Sequence, residues 1–177
     1  IRGFTTLSET RVGEEVVEML NDYLTRMEEV IEAHGGIIDK FIGDAIMAVF
    51  LPVHGRADPV ERAARAALGM RIALAEFNAR RRESGLFEIE TGIGLGSGEV
   101  IMGVLGGGRR RDFTVTGPTV NLAAQMEKRS KEATKTHVVI CPATREGLDR
   151  SASCLPMAEV ADSQHVHHQA WELIALS

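Results

Sequence analysis

Residues 37–50 read IIDKFIGDAIMAVF: two apolar segments on either side of a glycine, with Lys40 and Asp44 flanking the turn. Gly43 supplies the positive φ that a tight hairpin turn needs, so the run predicts two strands joined there. The flanks, Ile37, Ile38, Phe41 and Ile42, then Ala45, Ile46, Met47, Val49 and Phe50, predict a buried hairpin. Charges beside a core are usually paired, bound to metal, or used in chemistry. A Lys40–Asp44 pair capping the hairpin is the plain alternative.

Upstream, Glu14–His34 repeats apolar residues at helical spacing (Val16, Leu20, Tyr23, Met27, Val30 or Ile31, His34), and Gly35-Gly36 stops the helix. Ile1–Leu7 reads as a strand end turning into a helix. Gly3 permits the turn, and Thr5, Thr6 and Ser8 offer capping oxygens. Outward amide groups in such a turn favour an anion such as phosphate, although on this segment alone a simple helix cap is the preferred reading.

Downstream, Asp58-Pro59 caps a second helix running to about Arg82, with Val60, Ala63, Ala67, Met70, Leu74 and Phe77 on one stripe. Arg80-Arg81-Arg82 suits a helix C-terminus, where the dipole favours cations. Strands are expected at Phe87–Leu95, Glu99–Leu105, Phe113–Thr116 and Val138–Cys141. Between the last two, Thr119 should cap a helix reaching Glu132. A short helix at Pro142–Leu148 and two edge strands should complete the chain. Helices interleaved with antiparallel strand pairs give an α+β class: a mixed, mostly antiparallel sheet flanked by helices.

The 177 residues suit a single domain spanning 1–177, with 44% hydrophobic and 25% charged residues. A net charge of −5 argues against nucleic acid as the main partner. No apolar run reaches membrane-span length, no signal peptide is visible, and Cys141 and Cys154 are too few for a disulfide framework. A cytoplasmic setting is the expectation. The start at IRGFT, without methionine, suggests a fragment of a longer protein.

Three separated stretches, IRGFTTLSE, IIDKFIGDAIMAVF and RRDFTVTGPTVNLAAQME, together resemble the class III nucleotide cyclase catalytic domain. The resemblance covers almost the whole chain and rests on joint order and spacing. It implies a ferredoxin-like βαββαβ core, a head-to-tail homodimer with two sites shared between chains, and closure of a nucleoside triphosphate to a 3′,5′-cyclic monophosphate. It assigns Asp44 as one of two metal-binding aspartates and the Ile1 carbonyl as a further metal ligand. Two Mg²⁺ or Mn²⁺ ions per site are implied, because hard cations take oxygen ligands.

The resemblance also makes the Gly3, Phe4 and Thr5 turn the triphosphate-binding turn and Arg109 a phosphate contact. Lys40 and Thr114 become the readers of the base, with Asn121 orienting the ribose. A lysine donates to adenine N1 and a threonine hydroxyl accepts from N6, so ATP is the implied substrate, and a guanylate cyclase would carry Glu in place of Lys40. For Asn121, a bond to the local backbone is the alternative. The first aspartate and its central strand would precede Ile1, with sensor domains further upstream.

Two departures stand out. Where the family has arginine four residues after the asparagine, this chain has Gln125, which supplies no charge to the α-phosphate. Losing such a donor costs roughly 10²–10³ in rate, or about 3–4 kcal/mol. A lysine-bearing turn is replaced by Asp162-Ser163-Gln164-His165. A histidine could substitute only when protonated, and His165, His167 and His168 read as solvated residues rather than a metal site. The rival expectation is a weak or inactive homologue that binds nucleotide and dimerises as a regulatory module.

Overall fold

The computed structural model describes residues 1–107, 112–148, 152–162 and 165–177. The elements run α1 (Phe4–Thr10), α2 (Gly13–Ala33), β1 (Ile37–Ile42), β2 (Ala45–Val49), α3 (Pro59–Glu83), β3 (Ile93–Leu95), β4 (Ile101–Leu105), β5 (Asp112–Thr116), α4 (Pro118–Arg129), β6 (Val138–Ile140), α5 (Pro142–Leu148), β7 (Ala152–Ala161) and β8 (His167–Leu176). A four-stranded sheet of order β3-β6-β8-β7 is accompanied by two hairpins, β1-β2 and β4-β5. Only β3 and β6 pair in parallel, so the α+β, mostly antiparallel class holds. Among the described residues no helix is long and apolar enough to cross a membrane.

The run VVIC at 138–141 explains the layering. A strand apolar on both faces must be covered on both. Val138 and Ile140 pack with Ala64, Ala67, Leu148 and Leu173 beneath α3 and α5. Val139 and Cys141 pack with Met126 and Ala170 beneath α4. A third cluster joins α2 and α3 through Val16, Met19, Tyr23, Met27, Leu74 and Phe77. Each large side chain buried there adds about 1.5–3 kcal/mol. The α2 face is rotated slightly from expectation, with Met19 buried and Leu20 only packed against the cluster.

Glu172 is an acidic residue in the core, 2% exposed on β8. Burial alone would raise its pKa. Backbone amides of Thr134, His137, Lys135 and Thr136 outweigh that and hold the carboxyl below its usual range. These four donors fix the turn that enters β6.

Several expectations are corrected. Gly117, not Thr119, occupies the N-cap of α4, and the Thr119 hydroxyl donates to the Glu99 carbonyl at 2.6 Å. The helix ends at Arg129, followed by a 3₁₀ turn over Ser130–Glu132. The last strand is not an edge: β8 lies between β6 and β7. The hairpin of residues 37–50 is not buried, since Ile37, Phe41 and Ile42 are each about half exposed.

Arg81 lies in the last turn of α3, as expected, and is also packed into the core. It is 8% exposed, lies over the rings of Phe77 and Phe87, and donates to the Phe87 carbonyl at 2.6 Å. Of the expected strand Phe87–Leu95, only Ile93–Leu95 joins a ladder. Ahead of it, α3 side chains take the backbone's place: Arg81 binds the Phe87 carbonyl, Asn78 binds Ile89 through both its N–H and C=O, and Arg71 binds the Thr91 carbonyl. The Glu90 carbonyl faces the other way and accepts from the Arg2 amide at 2.7 Å.

Candidate active site

The hairpin carrying Lys40 and Asp44 is clamped at its roots by Arg62, only 6% exposed. Its guanidinium donates to the carbonyls of His34 and Gly35 before β1, and of Leu51 and Ala57 after β2. A buried cation is tolerated only when its donors are used, and here they all fall on the chain entering and leaving the hairpin. Gly43 closes the turn at φ 61°.

Lys40 does not pair with Asp44, as the capping alternative required. Its ammonium donates to the Thr114 hydroxyl on β5 and lies 3.2 Å from Asp39 Oδ2. Thr114 is 6% exposed, and its hydroxyl donates to the same Asp39 oxygen at 3.2 Å. Lys40 and Thr114 are 74 residues apart in the chain, and the fold brings them together. Asp39 is the addition. A regular strand would send it to the face opposite Lys40, but the ladder is irregular between Ile38 and Lys40. Such a bulge puts neighbouring side chains on one face. No alternation count could have found Asp39.

Asp44 lies beside the other expected metal ligand, Ile1, whose backbone nitrogen is 2.5 Å from Oδ2. Beneath it lies the buried Tyr23. Burial pushes its phenol up to about 12, opposed by a side-chain bond with Thr91 and reinforced by the charge of Asp44. Tyr23 is therefore a neutral floor. As a metal site the donor set fits in part. Asp44 gives one hard carboxylate, and no group of three His, Cys, Asp or Glu side chains is gathered among the described residues.

The turn at Gly3 has φ 65° and ψ 22°, the left-handed region, and no side chain caps α1. The Ser8 hydroxyl donates to the Thr5 carbonyl instead, and the first intrahelical bond is Leu7 N–H to the Gly3 carbonyl at 2.9 Å. The amides of Phe4, Thr5 and Thr6 thus lie outside the helical ladder, as first-turn amides do. Phe4 anchors the turn by packing on the α2–α3 cluster.

Asn121 and Gln125 are one turn apart on α4. Asn121 is exposed and Gln125 half-buried, and neither side chain makes a hydrogen bond among the described residues. The local-backbone alternative for Asn121 therefore fails, because only its amide bonds nearby, to the Gly117 carbonyl. Arg109 lies outside the described residues, as do Ser163 and Gln164 of the tail turn. Of that turn's neighbours, His168 is held by Asp162 at 2.8 Å and His167 lies 3.6 Å from Glu159.

α4 itself is seated by glycine. A side chain at Gly94 would meet the Ala123 carbonyl and the Glu127 amide, each at 2.2 Å, and one at Gly96 would meet the Thr119 carbonyl at 2.8 Å. The helix therefore rests on the bare backbone of β3 and its continuation.

The family model for the adenylate and guanylate cyclase catalytic domain matches residues 1–164. Adenylate cyclase 1 of Rhizobium meliloti is 39% identical over 132 residues, and the adenylate cyclase of Anabaena cylindrica 43% over 136. Each alignment covers 75% of this chain but only 20% and 26% of those proteins, so the chain spans about a quarter or less of their length. The crystal structure of the guanylyl cyclase Cya2 superposes with a TM-score of 0.89 at 32% identity, covering 100% of this chain and 89% of that one. The adenylyl cyclase CyaB from P. aeruginosa gives 0.87 at 26% identity, covering 99% and 90%.

Proposed function

Because the chain belongs to the adenylate and guanylate cyclase catalytic domain family, we propose that it is an adenylate cyclase domain, converting ATP to 3′,5′-cyclic AMP and pyrophosphate. The proteins it resembles divide between the two purines, so the base must be read from residues. The observation that carries the reading is the meeting of Lys40 and Thr114 across β1 and β5. One donor and one acceptor side by side match adenine N1 and N6 and mismatch guanine.

In this reading Lys40 and Thr114 hold the base, and Asn121 orients the ribose. The free amides after Gly3 bind the phosphates, with Arg109 as a further contact. The 3′-oxygen forms a bond to the α-phosphorus, the bond to the β-phosphate bridge breaks, pyrophosphate leaves, and the hydroxyl proton is lost. Asp44, the Ile1 carbonyl and a carboxylate preceding Ile1 would hold two Mg²⁺ or Mn²⁺ ions, which lower the cost of the 3′-oxyanion and the triphosphate charge. Gln125 contacts the α-phosphate without neutralising it.

Lys40 and Asp44 serve different sites of a head-to-tail homodimer, so one hairpin contributes to both. Sensor domains upstream would regulate the pairing, in a cytoplasmic setting. ATP and Mn²⁺ supplied to a form extended upstream of Ile1 should yield cyclic AMP, with ATP outcompeting GTP. A yield no greater than that of Asp44→Ala would overturn the activity.

A second reading, a nucleotide-binding dimerisation module, rests on Gln125 and on the tail, where the histidine flanking the turn is tied to a carboxylate. Calorimetric binding of a non-cyclisable ATP analogue without turnover would favour it.

A further inference from the structure

We propose that Asp39 is a positioning residue that fixes the hydrogen-bond polarity of Thr114, and so biases the base site towards adenine over guanine. This rests on the adenylate cyclase reading above and extends it to a residue outside the expected base-reading pair.

The chemistry of the cluster leaves little freedom. An ammonium only donates, and an ionised carboxylate only accepts. The Thr114 hydroxyl, with one proton and two lone pairs, lies between them: it accepts from Lys40 and donates to Asp39 at 3.2 Å. Its proton is committed to Asp39, so what it offers outward is a lone pair. Lys40 can leave this contact, since its side chain is 40% exposed, whereas Asp39 is held at 3%.

When the Lys40 ammonium moves to a base nitrogen, Thr114 is left as an acceptor, complementary to the N6 hydrogens of adenine. Guanine presents O6 at that position. To donate to O6 the hydroxyl must turn its proton away from Asp39, stripping a buried carboxylate oxygen of a donor, which is costly. Asp39 thus sets which way the hydroxyl points without touching the nucleotide. The bulge between Ile38 and Lys40 is what lets it do so. On a regular strand its carboxylate would face away.

The test is the ratio of kcat/KM for ATP to that for GTP, measured for the wild type, Asp39→Asn, Thr114→Val and the double variant, each checked for folding by thermal unfolding. Asn keeps the shape of Asp but can donate its amide hydrogens to Thr114, releasing the hydroxyl proton. The ATP preference should then fall roughly tenfold, about the size of one buried hydrogen bond lost. The change should lie mostly in KM. In the Thr114→Val background the same substitution should leave the ratio within twofold, because there is no hydroxyl left to orient.

An unchanged ratio in folded Asp39→Asn would overturn the proposal, as would an equal fall with Thr114→Val present. If Asp39→Asn does not fold, Asp39→Ser is read by the same criteria. If the wild type turns over neither nucleotide, the enzymatic reading fails. The same cycle measured as calorimetric affinity for non-cyclisable ATP and GTP analogues then decides the role of Asp39, and a chain binding neither analogue overturns both.

Discussion

Gln125 lies one turn beyond Asn121 on α4, with no intramolecular hydrogen bond among the described residues to hold it elsewhere. If it faces the α-phosphate, its neutral amide is weaker than a guanidinium, which forms charge-assisted and bidentate contacts with phosphate oxygens. Gln125→Arg should therefore raise turnover by roughly 10² if it restores a full electrostatic donor. The gain should appear in kcat under saturating ATP, and an unchanged or lower kcat would show that Gln125 is not the deficit. At this scale Lys40 and Asp44 stood out as charges in an apolar run, but the residues alone suggested that they pair with each other; Thr114 as the partner of Lys40 came from the family resemblance. Asp39 stood there too. What hid it was a backbone irregularity, which reverses a side chain's face without leaving a trace in residue types. Arg62 was hidden differently: an arginine on an alanine-rich helix gives no sign that it reaches the carbonyls at both roots of the hairpin.

The position of α4 depends on missing side chains in β3. Gly94→Ala would drive a methyl group into main-chain atoms of α4, the Ala123 carbonyl and the Glu127 amide, at 2.2 Å. Main chain cannot step aside as a flexible side chain can, so the helix must shift. The expected cost is about 1–3 kcal/mol or more in stability, read as a lowered midpoint in thermal unfolding. Asn121 and Gln125 would move with the helix, so turnover should fall further than the stability loss explains, since small misplacements at a reacting centre are expensive. Retained stability and turnover would show that α4 is not seated here. Helices, both hairpins and the buried VVIC strand were legible from period and punctuation. The Phe87–Thr91 segment was not read correctly, because its alternation is that of a strand while its hydrogen bonds go to side chains of α3. The interior placement of β8 was also out of reach, since order within a sheet is a long-range property.

In the whole chain, apolar side chains remain uncovered on both hairpins: Ile37, Phe41 and Ile42 on one, and Ile101, Met102, Val104 and Phe113 on the other. Apolar exposure of this kind on paired hairpins suits contact with a second copy, in keeping with the proposed shared sites. A mixing experiment tests the sharing. Lys40→Ala and Asp44→Ala chains should each be nearly inactive alone. Mixed in equal amounts, half the dimers would carry one intact site, so activity should return to roughly a quarter of wild type by closed two-fold pairing. No recovery on mixing would mean that both residues serve one chain's own site. The Phe87–Thr91 segment has a consequence of its own. The carbonyls of Phe87, Ile89 and Thr91 are all taken by α3 side chains, and that of Glu90 is taken by the Arg2 amide. An unsealed strand edge invites stray chains to add to it. Here each of those four carbonyls already has a donor within the same chain, so the segment has none of them left to hold an added strand.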